Sequence, residues 1–427
     1  MPTSTTSTPS APSLRISLDP SERFRHLWDA VEAFSRETGI SVETIALREA
    51  PDPSIDGPDE AEADVRWIPS RYLLSEAWGL LPLEELLDPS ELSDFAAPAL
   101  EMCRDEADLG GSLLTLPVAV ETRILYFRTD IFENRQEQVW YREASGGREL
   151  AVPKTWEELA LVAQHFTREG RMHGFAFPGA PGSLPGFFLS LMVSVGGALH
   201  DAEGELRLSS TAGEWALGLL CDLVGRWNVA PEETLELEQE DVSRLFRQGR
   251  AAMVCDHTGV SRLLRDPTFS SVAGWHSAAA WPSGADGLRA VWTECPGLAI
   301  TRSCSDPASA LQLILRLTST ELQRDAARFG AIPSRLSAYH LAREDLREGA
   351  FNHLRFMLAE TALRESRLTP PRMRRWPEIE AALALALTAA LRGETEPAAA
   401  LAEADRVIRE ITAVPSEAAG EASSADP

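Results

Sequence analysis

LLTLPVAVETRILYFRTDIF, residues 113–132, is the stretch that decides the fold of this chain. Val118 and Val120 alternate with their neighbours, and the apolar run Ile124–Phe127 follows within a few residues. This pattern predicts two β-strand segments that are interrupted near Glu121. A carboxylate between apolar strands is costly to bury unless another group pairs with it. Glu121 therefore lies either at an exposed joint or in a cleft, where a ligand hydroxyl or an arginine pairs with it.

The residues before this stretch alternate between strand and helix patterns. Leu14–Leu18 reads as a strand, Ser21 can cap an amphipathic helix that Gly39 ends, and strands follow at Ile40–Leu47 and Asp64–Ile68. This order predicts an α/β fold with a parallel sheet. Ligands of such sheets meet the loops at the carboxyl ends of the strands. Those loops are residues 19–23 and 69–72, and they contain Asp19, Ser70 and Arg71.

The residues after the stretch are richer in helix signals. Thr155 with Glu158 and Thr211 with Glu214 have the spacing of capping boxes. An apolar helix is predicted at Phe187–Val195 and a strand at Trp292–Ile300, and Asp306-Pro307 has the pattern of a helix start. The Pro-containing residues 331–335 read as a connector, and helices dominate from there to Val414.

Length and composition indicate an ordinary globular protein of two domains. The chain has 427 residues, of which 44% are hydrophobic and 25% charged. Its net charge of -25 argues against nucleic acid or an anionic membrane as partner, because phosphate binding needs a clustered basic surface. We expect a monomer that takes a small-molecule ligand.

The cysteines and the N-terminus bear on the compartment. None of the five cysteines forms a CxxC pair, so the sequence indicates neither a zinc site nor a disulfide framework. The first 13 residues are rich in Ser, Thr and Pro, which is typical of a flexible leader and unlike a signal peptide. No apolar run is long enough to span a bilayer. As written, the chain is expected to be cytoplasmic, or periplasmic or at the cell surface if an export leader precedes it.

Motifs for enzymatic chemistry are missing. The sequence contains no GxGxxG, GxxxxGK[ST], HExxH or GxSxG, and we predict neither catalysis nor a cofactor or metal. Tryptophan is more informative, because its face stacks on sugar rings and cations. Of the 11 tryptophans, Trp67, Trp292 and Trp376 lie at strand ends or before turns, where a core role and ligand contact are both open.

Several segments, taken in order, resemble the sugar-binding proteins of ABC importers that are similar to maltodextrin-binding protein, the family 1 extracellular solute-binding proteins. The clearest is LPVAVE, residues 116–121, running into LYF at 125–127. PKTWEEL at 153–159, FRQGRAAM at 246–253 and TSTE at 318–321 follow, and Trp376 completes the series. The resemblance covers residues 13–414.

The resemblance implies a periplasmic-binding-protein-like α/β fold of type II topology, whose two lobes are joined by hinge crossings and close on a ligand between them. The N-lobe would comprise residues 14–119 and 283–331, and the C-lobe residues 120–282 and 332–414, with a disordered tail at 415–427. Hinges are expected near residues 119–122, 279–284 and 331–337.

The resemblance also implies roles for individual residues. Glu121 would accept hydrogen bonds from sugar hydroxyls, Arg335 would donate to a hydroxyl or carboxylate, and Trp376 would stack on a ring. The loop 178–187 would offer Ser183 and Phe187. A stacking tryptophan common in the family falls near Gly259 here, so this platform is either missing or replaced by His257. The predicted ligand-binding set is Asp19, Trp67, Ser70, Arg71, Glu121, Ser183, Phe187, Trp292, Arg335 and Trp376.

The sequence thus predicts a protein that binds a carbohydrate or polyol without changing it, possibly alongside an ABC permease. One alternative is an intracellular ligand sensor or interaction module of the same fold, which the missing export signal favours. An enzyme built into the cleft is the other, and no clustered carboxylates or histidines in the sequence support it.

Overall fold

The computed structural model describes residues 13–47, 63–105, 111–198, 200, 207–328, 330–345, 349–365 and 371–413. Residues 1–12 of the predicted leader, residues 48–62 and the predicted tail lie outside the described residues. The strands are β1 Ser13–Leu18, β2 Ser41–Ala46, β3 Val65–Ile68, β4 Leu116–Pro117, β5 Arg123–Arg128, β6 His173–Ala176, β7 Ala251–His257, β8 His276–Ala279 and β9 Gly297–Ile300.

Helices make up most of the remaining regular structure. They are α1 Arg25–Thr38, α2 Leu73–Glu76, α3 Pro89–Leu92, α4 Ala97–Met102, α5 Thr129–Phe132, α6 Arg135–Ala144, α7 Trp156–Phe166, α8 Leu184–Ser194, α9 Thr211–Cys221, α10 Gln239–Arg247, α11 Ser261–Arg265, α12 Pro307–Leu317, α13 Thr320–Arg328, α14 Leu336–Arg343, α15 Gly349–Glu365, α16 Trp376–Leu391 and α17 Pro397–Ala413. None of these described helices is long and apolar enough to cross a membrane.

The chain divides into two compact units, each built from two separate segments. Unit 1 comprises Met1–Val120 and Cys295–Ala342, and unit 2 comprises Glu121–Glu294 and Arg343–Pro427. The first boundary lies next to the residue at which the sequence places it. The other two lie later than predicted: residues 283–294 remain in unit 2 through backbone bonds such as Trp156 N to Ser283 O (3.1 Å), and Ile332 pairs with Val120 in unit 1.

Unit 1 is built on a five-stranded mixed sheet of order β2-β1-β3-β9-β4. β1 runs parallel to β2 and β3, whereas β9 runs antiparallel to β3 and β4, so the parallel sheet predicted for this part of the chain holds only at one side. Apolar residues of α1 and α12 cover the sheet and form one core with it. Gly39 ends α1 with φ 75°, a left-handed conformation that glycine adopts without steric cost.

Unit 2 is built on a four-stranded sheet of order β6-β7-β5-β8. β5 lies inside this sheet, antiparallel to β7 and β8, and five of its six residues are buried, which explains its unbroken apolar run. β4 belongs to the other sheet. The two strand segments predicted on either side of Glu121 therefore exist, but they do not pair with each other.

Helix bounds are correct to within about three residues, two caps need correction and one predicted strand is shorter than expected. Ser21 makes no side-chain cap, because a 3-10 turn at Glu22–Phe24 separates it from α1. The Thr155 hydroxyl caps α7 by accepting from the Glu158 amide at 3.2 Å, as predicted. The cap of α9 is Ser210 and not Thr211, because the Ser210 hydroxyl accepts from the Gly213 amide. The predicted strand Trp292–Ile300 is regular only at Gly297–Ile300, since the chain passes from one unit to the other after Glu294.

Candidate functional site

Glu121 lies at the start of unit 2, paired with a second glutamate. The Glu121 amide donates to the Glu294 carbonyl at 2.8 Å, and the Glu294 amide donates to the Glu121 carbonyl at 2.9 Å. Residues that exchange both hydrogen bonds are directly opposite in an antiparallel bridge, and their side chains lie on the same face. The structure therefore places a second glutamate directly opposite the one that the sequence identified.

The pairing continues along the two segments toward β5. The Thr122 and Thr293 hydroxyl oxygens are 3.2 Å apart on the opposite face, and the Thr258 amide donates to the Thr122 carbonyl at 3.1 Å. Arg123, two residues beyond Glu121, is directly opposite His257. Since side chains alternate along an extended chain, Arg123 and His257 share the face that carries the glutamates.

Trp292 completes this face and holds one carboxylate in place. Its indole nitrogen donates to Oε1 of Glu294, whose side chain is only 8% exposed. We call Glu121, Arg123, His257, Trp292 and Glu294 the polar face of unit 2. It combines hydrogen-bond acceptors, donors and an aromatic ring, which is the composition of a site for a small polar ligand.

Trp292 packs closely against α8 and against Trp376. A Cβ on Gly186 of α8 would lie 3.1 Å from Cδ2 of Trp292, so glycine allows the helix backbone to approach the indole. The Trp376 ring lies 6.3 Å from the Trp292 ring at an interplanar angle of 33°. Trp292 is itself almost fully buried, so its orientation is fixed by these neighbours.

The other unit 2 residues predicted to bind ligand have structural contacts. Trp376 is buried at the start of α16, and Phe187 is buried against Phe177, with the two rings stacked at 5.2 Å. The Ser183 hydroxyl donates to Oε2 of Glu238 at 2.7 Å. Trp376 and Phe187 offer no exposed ring face for stacking, because other apolar groups already cover them.

In unit 1, Trp67 and Ser70 also make internal contacts. The Trp67 ring packs edge-on against Phe24 with centroids 4.6 Å apart, and the Ser70 hydroxyl accepts from the Cys295 amide at 3.1 Å. Asp19 is half-buried and accepts from the Ser21 amide at 2.7 Å. The Arg71 guanidinium lies 4.5 Å from the centre of the Tyr72 ring and is half-buried.

Arg335, a predicted ligand residue, is held by several contacts with other protein groups. Its side chain is buried, its Nε donates to the Thr318 carbonyl at 2.6 Å, and its guanidinium lies 4.1 Å from the centre of the Phe95 ring. Asp94 and Glu91 lie 3.7 and 3.8 Å away. These contacts are all within unit 1, so Arg335 is not included in the site proposed below.

Two titratable groups beside the polar face, Tyr126 and Cys255, are held in their protonated forms. Burial raises the pKa of the Tyr126 hydroxyl and of the Cys255 thiol well above their usual ranges, so both stay protonated near neutral pH. A protonated, buried thiol is a poor nucleophile. Among the described residues, no group of three or more His, Cys, Asp and Glu side chains could hold a metal ion.

Arg123 and Glu294 are the members of the polar face that sequence reasoning missed. Arg123 opens the apolar run of β5 and reads as a strand end, and Glu294 falls inside a segment predicted to be a single strand. The bridge that joins Glu294 to Glu121 links positions far apart in the chain. The one sequence signal for Glu294 was that it is, like Glu121, an isolated glutamate in a largely apolar segment.

Comparisons with known proteins agree on a single family. Residues 27–324 match the family model described as bacterial extracellular solute-binding protein. A protein of Deinococcus radiodurans named "Probable ABC transporter-binding protein" is 23% identical over 317 residues, which is 69% of each chain.

Solved structures of the same fold cover nearly the whole chain. Maltose-bound MalE3 of T. maritima has a TM-score of 0.81 at 23% identity, over 94% of this chain and 100% of that one. A ribitol complex of an ABC transporter solute-binding protein from Agrobacterium radiobacter has a TM-score of 0.78 at 22% identity, over 94% of this chain and 98% of that one. The predicted two-lobe periplasmic-binding-protein fold is confirmed by these structures.

Proposed function

Because the chain belongs to the family of bacterial extracellular solute-binding proteins, we propose that it binds a sugar or a polyol as the solute-binding component of an ABC importer. The family consists of binding proteins and not of enzymes, which agrees with the missing catalytic motifs. The alternative of an intracellular sensor finds no support among the relatives. A permease is the macromolecular partner that this proposal implies.

The polar face of unit 2 is the observation that carries the proposal to particular residues. Carboxylates accept hydrogen bonds from ligand hydroxyls, and the Arg123 guanidinium can donate to ring and hydroxyl oxygens. Sugars and polyols present both kinds of group at short spacing. The ligands in the related structures, maltose and ribitol, are of this chemical class.

Within this proposal Glu121 is the main hydrogen-bond acceptor for the ligand. It is half-buried at the margin of the polar face, whereas Glu294 and Trp292 lie deeper. A hydrogen bond to a charged acceptor is worth about 1.5–3 kcal/mol, which corresponds to a loss of roughly ten- to a hundredfold in affinity when it is removed.

Isothermal titration of the full chain against maltose, ribitol and D-mannitol tests the proposal, with binding of at least one of them as the expected result. Glu121→Ala should weaken that binding at least tenfold and leave the melting temperature nearly unchanged. Glu157→Ala is a suitable control, because Glu157 is exposed in the first turn of α7. Failure of the folded protein to bind any sugar or polyol would count against the function, and a collapse of stability in Glu121→Ala would make Glu121 a structural residue.

Conformational change on ligand binding is part of the same proposal. A ligand shifts a conformational equilibrium only by its difference in affinity for the two states. The hinge closure implied by the family predicts a smaller radius of gyration when the bound sugar is present, which X-ray scattering can measure. An unchanged radius at saturating ligand would contradict it.

A further inference from the structure

We propose that Gln323 is a positioning residue for ligand binding, because its side chain fastens together the two segments through which the chain leaves unit 1. The first exit segment is residues 117–120, after which the chain enters unit 2. The second exit segment is residues 332–335, which lead into α14 and from there into unit 2. Fastened in this way, the two segments move as one body when the lobes close on a ligand. This inference rests on the proposed function and adds to it a residue outside the polar face.

The first support is the set of hydrogen bonds made by the carboxamide of Gln323, a residue of α13 that is only 2% exposed. Its Oε1 accepts from the amides of Ser334 and Arg335 at 2.8 and 2.9 Å. Its Nε2 donates to the carbonyls of Pro117 and Thr318 at 3.3 and 3.4 Å. The two backbone donors and the two carbonyl acceptors fix which end of the carboxamide is the oxygen. One buried side chain therefore binds both exit segments.

The second support is that further bonds join the same two segments directly. The Ser334 hydroxyl is buried, donates to the Pro117 carbonyl at 2.8 Å and accepts from Nε2 of Gln323 at 3.0 Å. At the other end of the first exit segment, the Val120 amide donates to the Ile332 carbonyl at 2.8 Å. The first exit segment is thus bonded to the second at both of its ends.

The third support is that the second exit segment needs an outside acceptor. Residues 332–335 belong to no helix or strand, and Pro333 has no N–H to donate. Buried backbone N–H groups must find an acceptor, and those of Ser334 and Arg335 find it in the Gln323 side chain. An apolar residue at position 323 would leave both amides unpaired.

The fastening matters for affinity because order costs entropy. Fixing the backbone of one residue costs conformational entropy equivalent to roughly a tenfold change in affinity. Exit segments that are already ordered in the unliganded protein do not add this cost to closure. If the links to the Pro117 carbonyl are removed, the segments gain freedom in the open state, and closure on a ligand must order them again.

Two variants cut the links to the Pro117 carbonyl one at a time. Ser334→Ala removes the hydroxyl link and leaves Gln323 in place. Gln323→Glu keeps an acceptor oxygen for the amides of the second exit segment and removes the N–H donor to the first. Thr318→Val is the matched control, because the buried Thr318 hydroxyl donates to the Ile314 carbonyl at 2.9 Å. It removes one buried hydrogen bond from unit 1 and none between the exit segments.

Amide hydrogen exchange of the full, unliganded chain tests the fastening without a ligand. Exchange of the Val120 amide should be roughly three- to tenfold faster in Ser334→Ala and in Gln323→Glu, as measured by mass spectrometry of peptides that cover residues 117–120. Thr318→Val should leave this rate unchanged. If Gln323 serves only the second exit segment, peptides that cover residues 332–335 will exchange faster and the Val120 amide will not.

Titration with whichever of maltose, ribitol and D-mannitol binds tests the positioning role. Affinity should fall roughly three- to tenfold in Ser334→Ala and in Gln323→Glu, and it should stay within about twofold in Thr318→Val. Saturating ligand should also restore slow exchange of the Val120 amide in Ser334→Ala, because closure orders the exit segments again.

The outcomes separate this inference from the proposed function. Unchanged Val120 exchange in folded Ser334→Ala and Gln323→Glu overturns the fastening, and faster exchange with unchanged affinity overturns the positioning role; both leave sugar binding standing. If Gln323→Glu fails to fold, Ser334→Ala, which loses only a hydroxyl, decides the matter. If the unaltered chain binds no sugar or polyol, the proposed function is wrong and the positioning role falls with it, whereas the exchange rates still decide whether the exit segments are fastened.

Discussion

Replacing Arg335 with alanine should destabilise unit 1 and leave ligand affinity within about twofold of the unaltered protein. The guanidinium is buried and bound to the Thr318 carbonyl at 2.6 Å, it lies over the Phe95 ring at 4.1 Å, and Asp94 is 3.7 Å away. Burial lowers the pKa of Arg335, and Asp94 and Glu91 oppose that shift, so the group stays charged and needs these partners.

The size of the effect follows from the contacts that are lost. A charged hydrogen bond contributes about 1.5–3 kcal/mol, and a buried cation–π contact contributes about 1–2 kcal/mol. Asp94 keeps hydrogen bonds from Ser337, which limits the penalty of losing its cation. We expect a loss of about 3 kcal/mol, which for a unit of this size lowers the melting temperature by roughly 9 °C.

Differential scanning calorimetry measures the loss, and titration with whichever sugar binds measures the affinity. Arg25→Ala is the matched control, because Arg25 faces Asp29 at 3.8 Å with both side chains at least 66% exposed, and such pairs contribute little. If Arg335→Ala melts like Arg25→Ala while affinity falls more than tenfold, the structural interpretation is wrong and Arg335 contacts the ligand.

Two further predictions concern packing and pH. Gly174→Ala should lower the free energy of unfolding by about 3 kcal/mol in denaturant titration, because its Cβ would lie 1.8 Å from the Ala163 carbonyl oxygen. A Cβ on Gly218 would meet nothing within 4 Å, so Gly218→Ala should not destabilise the protein. Equal effects of the two substitutions would contradict this prediction. Burial lowers the pKa of His26 to about 4. Between pH 6.5 and pH 4 the imidazole is therefore protonated in the unfolded chain but neutral in the folded chain, so stability is lost as the pH falls through this range. Between pH 7 and pH 4.5, the free energy of unfolding measured by urea titration should fall by about 2 kcal/mol less in His26→Gln than in the unaltered chain. Parallel curves of unfolding free energy against pH for the two proteins would refute this.

Local structure was predictable where short-range chemistry determines it. Gly39 ends α1 and Thr155 caps α7 because both effects involve residues within one helical turn. The pairing of β9 with β3 and β4 was not predictable, because it joins segments separated by most of unit 2. An isolated strand pattern carries no information about its partner.

The candidate site was predictable only in part, for the same reason. Glu121 was identified from the cost of a carboxylate beside apolar strands, but its neighbour Glu294 depends on a long-range bridge. For Trp67 and Trp376 the position near strand ends and turns left a core role and ligand contact both open, and the structure buries both. Position along an element does not reveal which side chains from distant segments cover it.

The place of β9 between β3 and β4 has a consequence for how the protein is made. As the chain emerges from the ribosome, β3 and β4 appear long before β9, their common partner. Until β9 is synthesised, each of these strands has an unpaired edge. Unpaired strand edges of this kind favour pairing with other chains. Assembly of unit 1 can therefore finish only after all of residues 121–294 have been synthesised, so a fragment that stops before Gly297 should aggregate, however complete its own helices are.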